Sequence, residues 1–79
     1  MTASEVVTQV AAIVREVLPA APPSPDASLL AAGLDSIGMV ALLNEVEARL
    51  EVSIPPEAVV PHNFDSIRTI AQLVERLRA

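Results

Sequence analysis

The chain has 79 residues, ten acids against five bases and a formal net charge of −5, which bounds it to one small domain with a thin core. The acidic balance speaks against nucleic acid and anionic membrane, which attract basic patches, and leaves room for a basic protein partner; no Cys is present for a disulfide or thiolate site, and a single His, His62, builds no metal or catalytic cluster. No stretch approaches the ~18 unbroken apolar residues of a membrane span, and no basic segment precedes an apolar block as in a secretory leader, so the expected compartment is the cytoplasm.

Taken in chain order, residues 2–18 read as a helix. Thr2 with Glu5 three residues on is a capping-box pattern, and Val6, Val10, Ile13, Val14 and Val17 fall at helical spacing. Pro19 ends it. Residues 19–35 read as a long loop, because Pro19, Pro22, Pro23 and Pro25 forbid a regular helix or central strand. Leu29, Leu30 and Leu34 are expected to pin this loop to the helices, with one turn over residues 26–31. A second helix spans residues 36–51, with Asp35 as N-cap and a core stripe of Met39, Leu42, Leu43, Val46 and Leu50. Gly38 in its first turn costs roughly 1 kcal/mol relative to Ala and asks for a reason. Residues 52–54 form an extended linker, with Val52 and Ile54 pointing the same way. A short third helix is expected at residues 55–60, opened by Pro55-Pro56 and ended by Pro61. Asp65 is expected to cap a last helix over residues 66–78, with Ile67, Ile70, Ala71, Val74 and Leu77 in register. The fold expected is all-α: a small four-helix bundle with three longer helices, one short third helix and a long Pro-rich first loop.

Asp-Ser-Ile occurs twice, at residues 35–37 and 65–67, each time at an expected helix start. Capping alone accounts for an isolated Asp-Ser pair, so the surroundings must distinguish the two. Ser36 ends a long loop, follows Ala31-Ala32-Gly33-Leu34 and precedes Gly38, which leaves its first turn uncrowded. This presents a hydroxyl at an exposed helix N-terminus, where an attached phosphate is favoured by free N–H groups and the helix dipole. Ser66 follows Phe64, the only aromatic, and reads as structural; its replacement by Ala is expected to cost less than about 1 kcal/mol.

Gly33-Leu34-Asp35-Ser36-Ile37, at the start of the second helix of an acidic chain of this length, resembles the acyl carrier proteins. The likeness extends over essentially the whole chain, through the long first loop, the Ile54-Pro55 linker and the Asn63–Ile67 entry to the last helix. It implies that Ser36 carries 4′-phosphopantetheine, transferred from coenzyme A by a phosphopantetheinyl transferase, and that the terminal thiol holds an acyl or aminoacyl group as a thioester. The implied partners are that transferase, an acyl-loading ligase or acyltransferase, and downstream synthases or transferases. Leu34-Asp35 is closer to acyl or polyketide carriers than to peptidyl carriers. Gly38 and Ala41 stand where many fatty-acid carriers have acids, which points to a specialised polyketide-like or hybrid pathway. Beginning at Met1 and ending at Ala79, the chain is read as freestanding, an excised module of a larger synthase being the alternative. Nothing in it demands more than a monomer.

On the second helix, Ile37, Val40, Ala41 and Asn44 fall at i, i+3, i+4 and i+7 and share the face opposite the core stripe. With Asp35 and Glu47 as charged rim, they form the expected partner-binding surface. Glu45 and Glu47 do not share a face and do not pair for catalysis. An unmodified helical interaction module is the rival reading. A hydrolase using Ser36 as nucleophile lacks a base, His62 being the sole candidate.

Overall fold

The computed structural model describes residues 2–78. Three α-helices make up its regular structure: α1 (Ala3–Val17), α2 (Ser36–Leu50) and α3 (Ile67–Arg78), with α1 packed against both others. The chain is all-α over the described residues, without a strand, and no helix is long and apolar enough to cross a membrane.

The helix limits follow from local chemistry. At α1 the expected capping box is present: Thr2 Oγ1 accepts the Glu5 N–H at 3.2 Å while Glu5 Oε1 accepts the Thr2 N–H at 3.0 Å. Thr2 is therefore the cap and not the first helical residue. Leu18, whose successor Pro19 disfavours helical backbone, is extended and closes α1 at Val17. At the end of α2, Glu51 is left-handed (φ 52°, ψ 50°) and its N–H donates to the Glu47 carbonyl, so the helix stops at Leu50.

The expected third helix does not form. Two 3-10 turns, Pro56–Ala58 and Pro61–Phe64, take its place. Prolines at 55, 56 and 61 remove N–H donors, and what closes is i→i+3: Val59 N–H to Pro56 O at 3.1 Å and Asn63 N–H to Val60 O at 3.0 Å. Pro61 opens the second turn rather than only ending the first. Three helices with 3-10 turns thus replace the four-helix bundle expected.

Val6, Val10, Ile13 and Val14 of α1, Leu42, Val46 and Leu50 of α2, and Ile67, Ile70, Ala71, Leu73 and Val74 of α3 are buried. Leu18, Leu29, Ile54 and Phe64 join them from the connections, so the core depends on loops as well as helices. Val17, Met39, Leu43 and Leu77, expected in the stripes, are only half-buried, and Leu73, absent from the expected stripe, is inside.

The first loop is tied down at several points. Leu29 is fully buried, its N–H donating to Asp65 O at 2.9 Å. Arg68 N–H donates to Pro25 O at 2.9 Å, and Arg68 Nε bonds Asp26 Oδ1 at 2.5 Å. The loop's turn lies over 28–33 instead of 26–31, closed by Ala32 N–H to Ser28 O and Gly33 N–H to Leu30 O. That register buries Leu29, half-buries Leu34 and leaves Leu30 78% exposed, so Leu30 does not pin the loop. Gly33 has φ +103°, and a Cβ there would stand 3.0 Å from Pro19 Cγ. Glycine is needed both for the backbone angle and for the close approach that brings the loop's end back to the end of α1.

Candidate functional site: the start of α2

Asp35 is extended (φ −121°) and its Oδ1 accepts the Gly38 N–H at 2.7 Å. Its carbonyl accepts the Met39 N–H at 2.8 Å. The cap is thus Asp35, and Ser36 is the first helical residue with its side chain exposed. The reason for Gly38 is now visible. A Cβ there would lie 3.2 Å from Asp35 Oδ1 and 3.3 Å from Leu34 Cδ1, so glycine lets the capping carboxylate and Leu34 close over the first turn.

The second Asp-Ser-Ile is set one residue differently. Ser66 Oγ accepts the Thr69 N–H at 3.1 Å and Thr69 Oγ1 accepts the Ser66 N–H at 3.0 Å. Ser66 itself caps α3, which begins at Ile67, and Ser66 is 4% exposed. Asp65, expected as the cap, instead ends the preceding 3-10 turn with αR backbone and offers its carbonyl to Leu29. The signal was in the sequence: Thr69 lies three residues after Ser66, the spacing of a reciprocal cap. One tripeptide therefore presents its hydroxyl to solvent and the other turns it into the fold.

Ile37 is 82% and Val40 58% exposed, and Ala41 and Asn44 are exposed as well. The expected apolar face is thus open to solvent. Glu47 is placed differently from expectation. Its Oε2 accepts the Ile54 N–H at 2.8 Å, which fixes the linker after α2, and the residue is half-buried. Glu45 does carry charge outward, and pairs with Arg49 Nε at 2.8 Å. Arg49 also reaches Glu16 of α1 with both terminal nitrogens at 2.6 Å. This bidentate contact holds the Glu16 carboxyl below its ordinary value and Arg49 above its own.

Two hollows flank the start of α2. One, of about 540 Å³, lies toward α1 and is lined by Glu16, Pro19, Gly33, Ile37 and Ala41 among others. The other, of about 450 Å³, is walled by Ser36 itself, together with Leu30, Leu34, Met39, Pro61, Phe64 and the two aspartates 35 and 65. His62 is exposed, and no group of three or more His, Asp or Glu among the described residues could hold a metal ion.

A small helical fold that displays one hydroxyl at a capped helix start is the architecture of a carrier domain. Residues 8–77 match the family model described as the phosphopantetheine attachment site, and the chain belongs to that family. It is a carrier protein, not an enzyme, with 4′-phosphopantetheine as its covalent prosthetic group. Among curated relatives, it is 34% identical over 77 residues to aminoacyl carrier protein 2 of Bradyrhizobium diazoefficiens, covering 92% of this chain and 86% of that one. It is 40% identical over 55 residues to aminoacyl carrier protein 1 of the same organism, covering 70% of this chain and 61% of that one. Two solved structures are similar at 32% identity. One is the Bradyrhizobium japonicum glycine:carrier-protein ligase complexed with glycylated carrier protein (TM-score 0.70, 90% of this chain and 96% of that chain). The other is that ligase complexed with its cognate carrier protein and an analogue of glycyl adenylate (TM-score 0.73, 94% and 96%).

Proposed function

We propose that Ser36 is the attachment residue and that the cargo is a small aminoacyl group, loaded by an amino acid:carrier-protein ligase. The observation that carries the first half is the one-residue difference between the two Asp-Ser-Ile copies. Ser36 stands outside the cap with its hydroxyl exposed, whereas Ser66 is the cap and is buried. The residues around Ser36 suit a phosphodiester: the first turn of a helix has N–H groups free of intrahelical partners and a favourable dipole, and Gly38 adds no side chain there. The prosthetic group supplies a long flexible thiol, which the protein's own side chains cannot.

The second half is supported by the aminoacyl carriers among the relatives and by the likeness to carriers solved with a glycine ligase. It favours an aminoacyl cargo over the polyketide-like one that Leu34-Asp35 suggests. The exposed face of Ile37, Val40, Ala41 and Asn44, with Asp35 at its edge, is the surface we assign to transferase and ligase.

Intact-mass analysis tests both halves. After incubation with coenzyme A and a phosphopantetheinyl transferase, the expected product is one phosphopantetheinyl group, mapped to Ser36. After further incubation with ATP, glycine and the Bradyrhizobium ligase, a glycyl thioester is expected. Attachment elsewhere overturns the site; loading by a polyketide-type acyltransferase but by no amino acid ligase overturns the cargo.

A further inference from the structure

We propose that Leu30, at the tip of the first loop, is a docking anchor for the amino acid-activating enzyme that loads this carrier, on the side of Ser36 away from Ile37. The proposal rests on the aminoacyl reading above. Leu30 is 78% exposed while its neighbour Leu29 is fully buried. It is not exposed through slack backbone. Leu29 N–H is bonded to Asp65 O, Gly33 N–H to Leu30 O and Leu34 N–H to Leu29 O, and the loop's earlier part is fastened to α3 through Arg68 and Asp26. The turn holds a large apolar side chain outward, as a pre-formed anchor does.

Its location gives the occupant. Leu30 and Ser36 wall the same hollow of about 450 Å³, so a protein that reaches over Ser36 from this side covers Leu30. The hollow's walls include the acids Asp35 and Asp65 and no base. Ile37 and Val40, which follow Ser36 on α2 and lie outside this hollow, are also exposed. The result is an apolar surface with an acidic edge, on a chain of net charge −5, and it calls for a partner that brings an apolar pocket bordered by Lys or Arg.

The test uses the full-length protein carrying its prosthetic group, as wild type, Leu30→Ser and Leu30→Asp. Thermal unfolding of both variants is expected to match wild type, because the side chain is outside the core. Glycylation by the ligase is expected to lose roughly tenfold or more in kcat/KM through KM, with direct binding of ligase to the holo-carrier weakened in parallel. Undiminished loading and binding in both variants overturns the proposal, whereas failure of the wild type to accept any amino acid overturns the aminoacyl reading instead. Two other occupants have their own signatures, and either result displaces the ligase. If the carrier's own arm covers Leu30, its methyl resonances shift between the apo and holo forms without ligase. If a second copy covers it, the wild type self-associates with concentration and Leu30→Asp does not.

Discussion

Two serines in one repeated tripeptide differ in what their hydroxyls do, and substitution should separate them. Ser36 is exposed and Asp35 caps its helix without it, so Ser36→Ala is expected to leave the unfolding midpoint unchanged and abolish labelling from coenzyme A. Ser66 is a buried cap in reciprocal contact with Thr69, so Ser66→Ala is expected to cost about 0.5–2 kcal/mol and to leave labelling intact. That exceeds the cost expected from the sequence, where Asp65 is read as the cap. Denaturant unfolding with parallel labelling measures both; labelled Ser36→Ala protein would refute the assignment.

At the scale of the element, the first turn of α2 couples Asp35 to Gly38. Asp35→Ala removes a cap and should cost about 0.5–2 kcal/mol. Gly38→Ala should gain about 1 kcal/mol from helix propensity alone, but its Cβ would crowd Asp35 Oδ1 and Leu34 Cδ1. The expected outcome is non-additivity: little or no gain in the wild type, and a clear gain when Asp35 is already Ala. Equal effects of Gly38→Ala in both backgrounds would show that the contact is not what holds glycine there. The two sides of α2 should separate as cleanly. Leu42 is fully buried and Val40 is 58% exposed, so Leu42→Ala is expected to cost about 2–5 kcal/mol. Val40→Asp should unfold at the wild-type midpoint and load poorly. A Val40→Asp protein as unstable as Leu42→Ala would mean that the open face has a packing role.

Across the whole molecule, the exposed tie from Arg49 to Glu16 links α2 to α1. Because the Glu16 carboxyl is held below its ordinary value of 4.5, its contribution is present above that value and is lost as pH falls through the lowered one. Melting temperatures followed from about pH 6 to about pH 3 should therefore fall less steeply in Glu16→Gln than in wild type, and the difference should shrink in salt. Parallel curves would remove the tie from any account of acid stability. The three long helices and the exposed place of Ser36 at the start of α2 were legible in the sequence, because capping chemistry and 3.6-residue spacing are local. What was not legible is set by distant partners. Glu47 looks like a surface acid until Ile54 N–H is brought to it. Leu30 is indistinguishable from Leu29 until Asp65 fixes the turn. The missing third helix is the exception, since Pro55, Pro56 and Pro61 already limited it to single turns.

The ion pairs that tie Arg49 to Glu16 and Arg68 to Asp26 are built on arginine, and the chain contains neither Lys nor Cys. For the aminoacyl thioester proposed above, this is a matter of chemical self-compatibility. A neutral lysine amine within reach of the thioester would attack its carbonyl, form an amide and expel the thiol, taking the cargo out of circulation. A guanidinium stays protonated and has no such lone pair to offer, so these surfaces gain their cations without gaining a nucleophile. A lysine placed on the open face, as in Asn44→Lys, should then trap part of the aminoacyl group as a hydroxylamine-resistant adduct detectable by mass. Complete release by hydroxylamine from that variant would show that arginine was not needed for this protection.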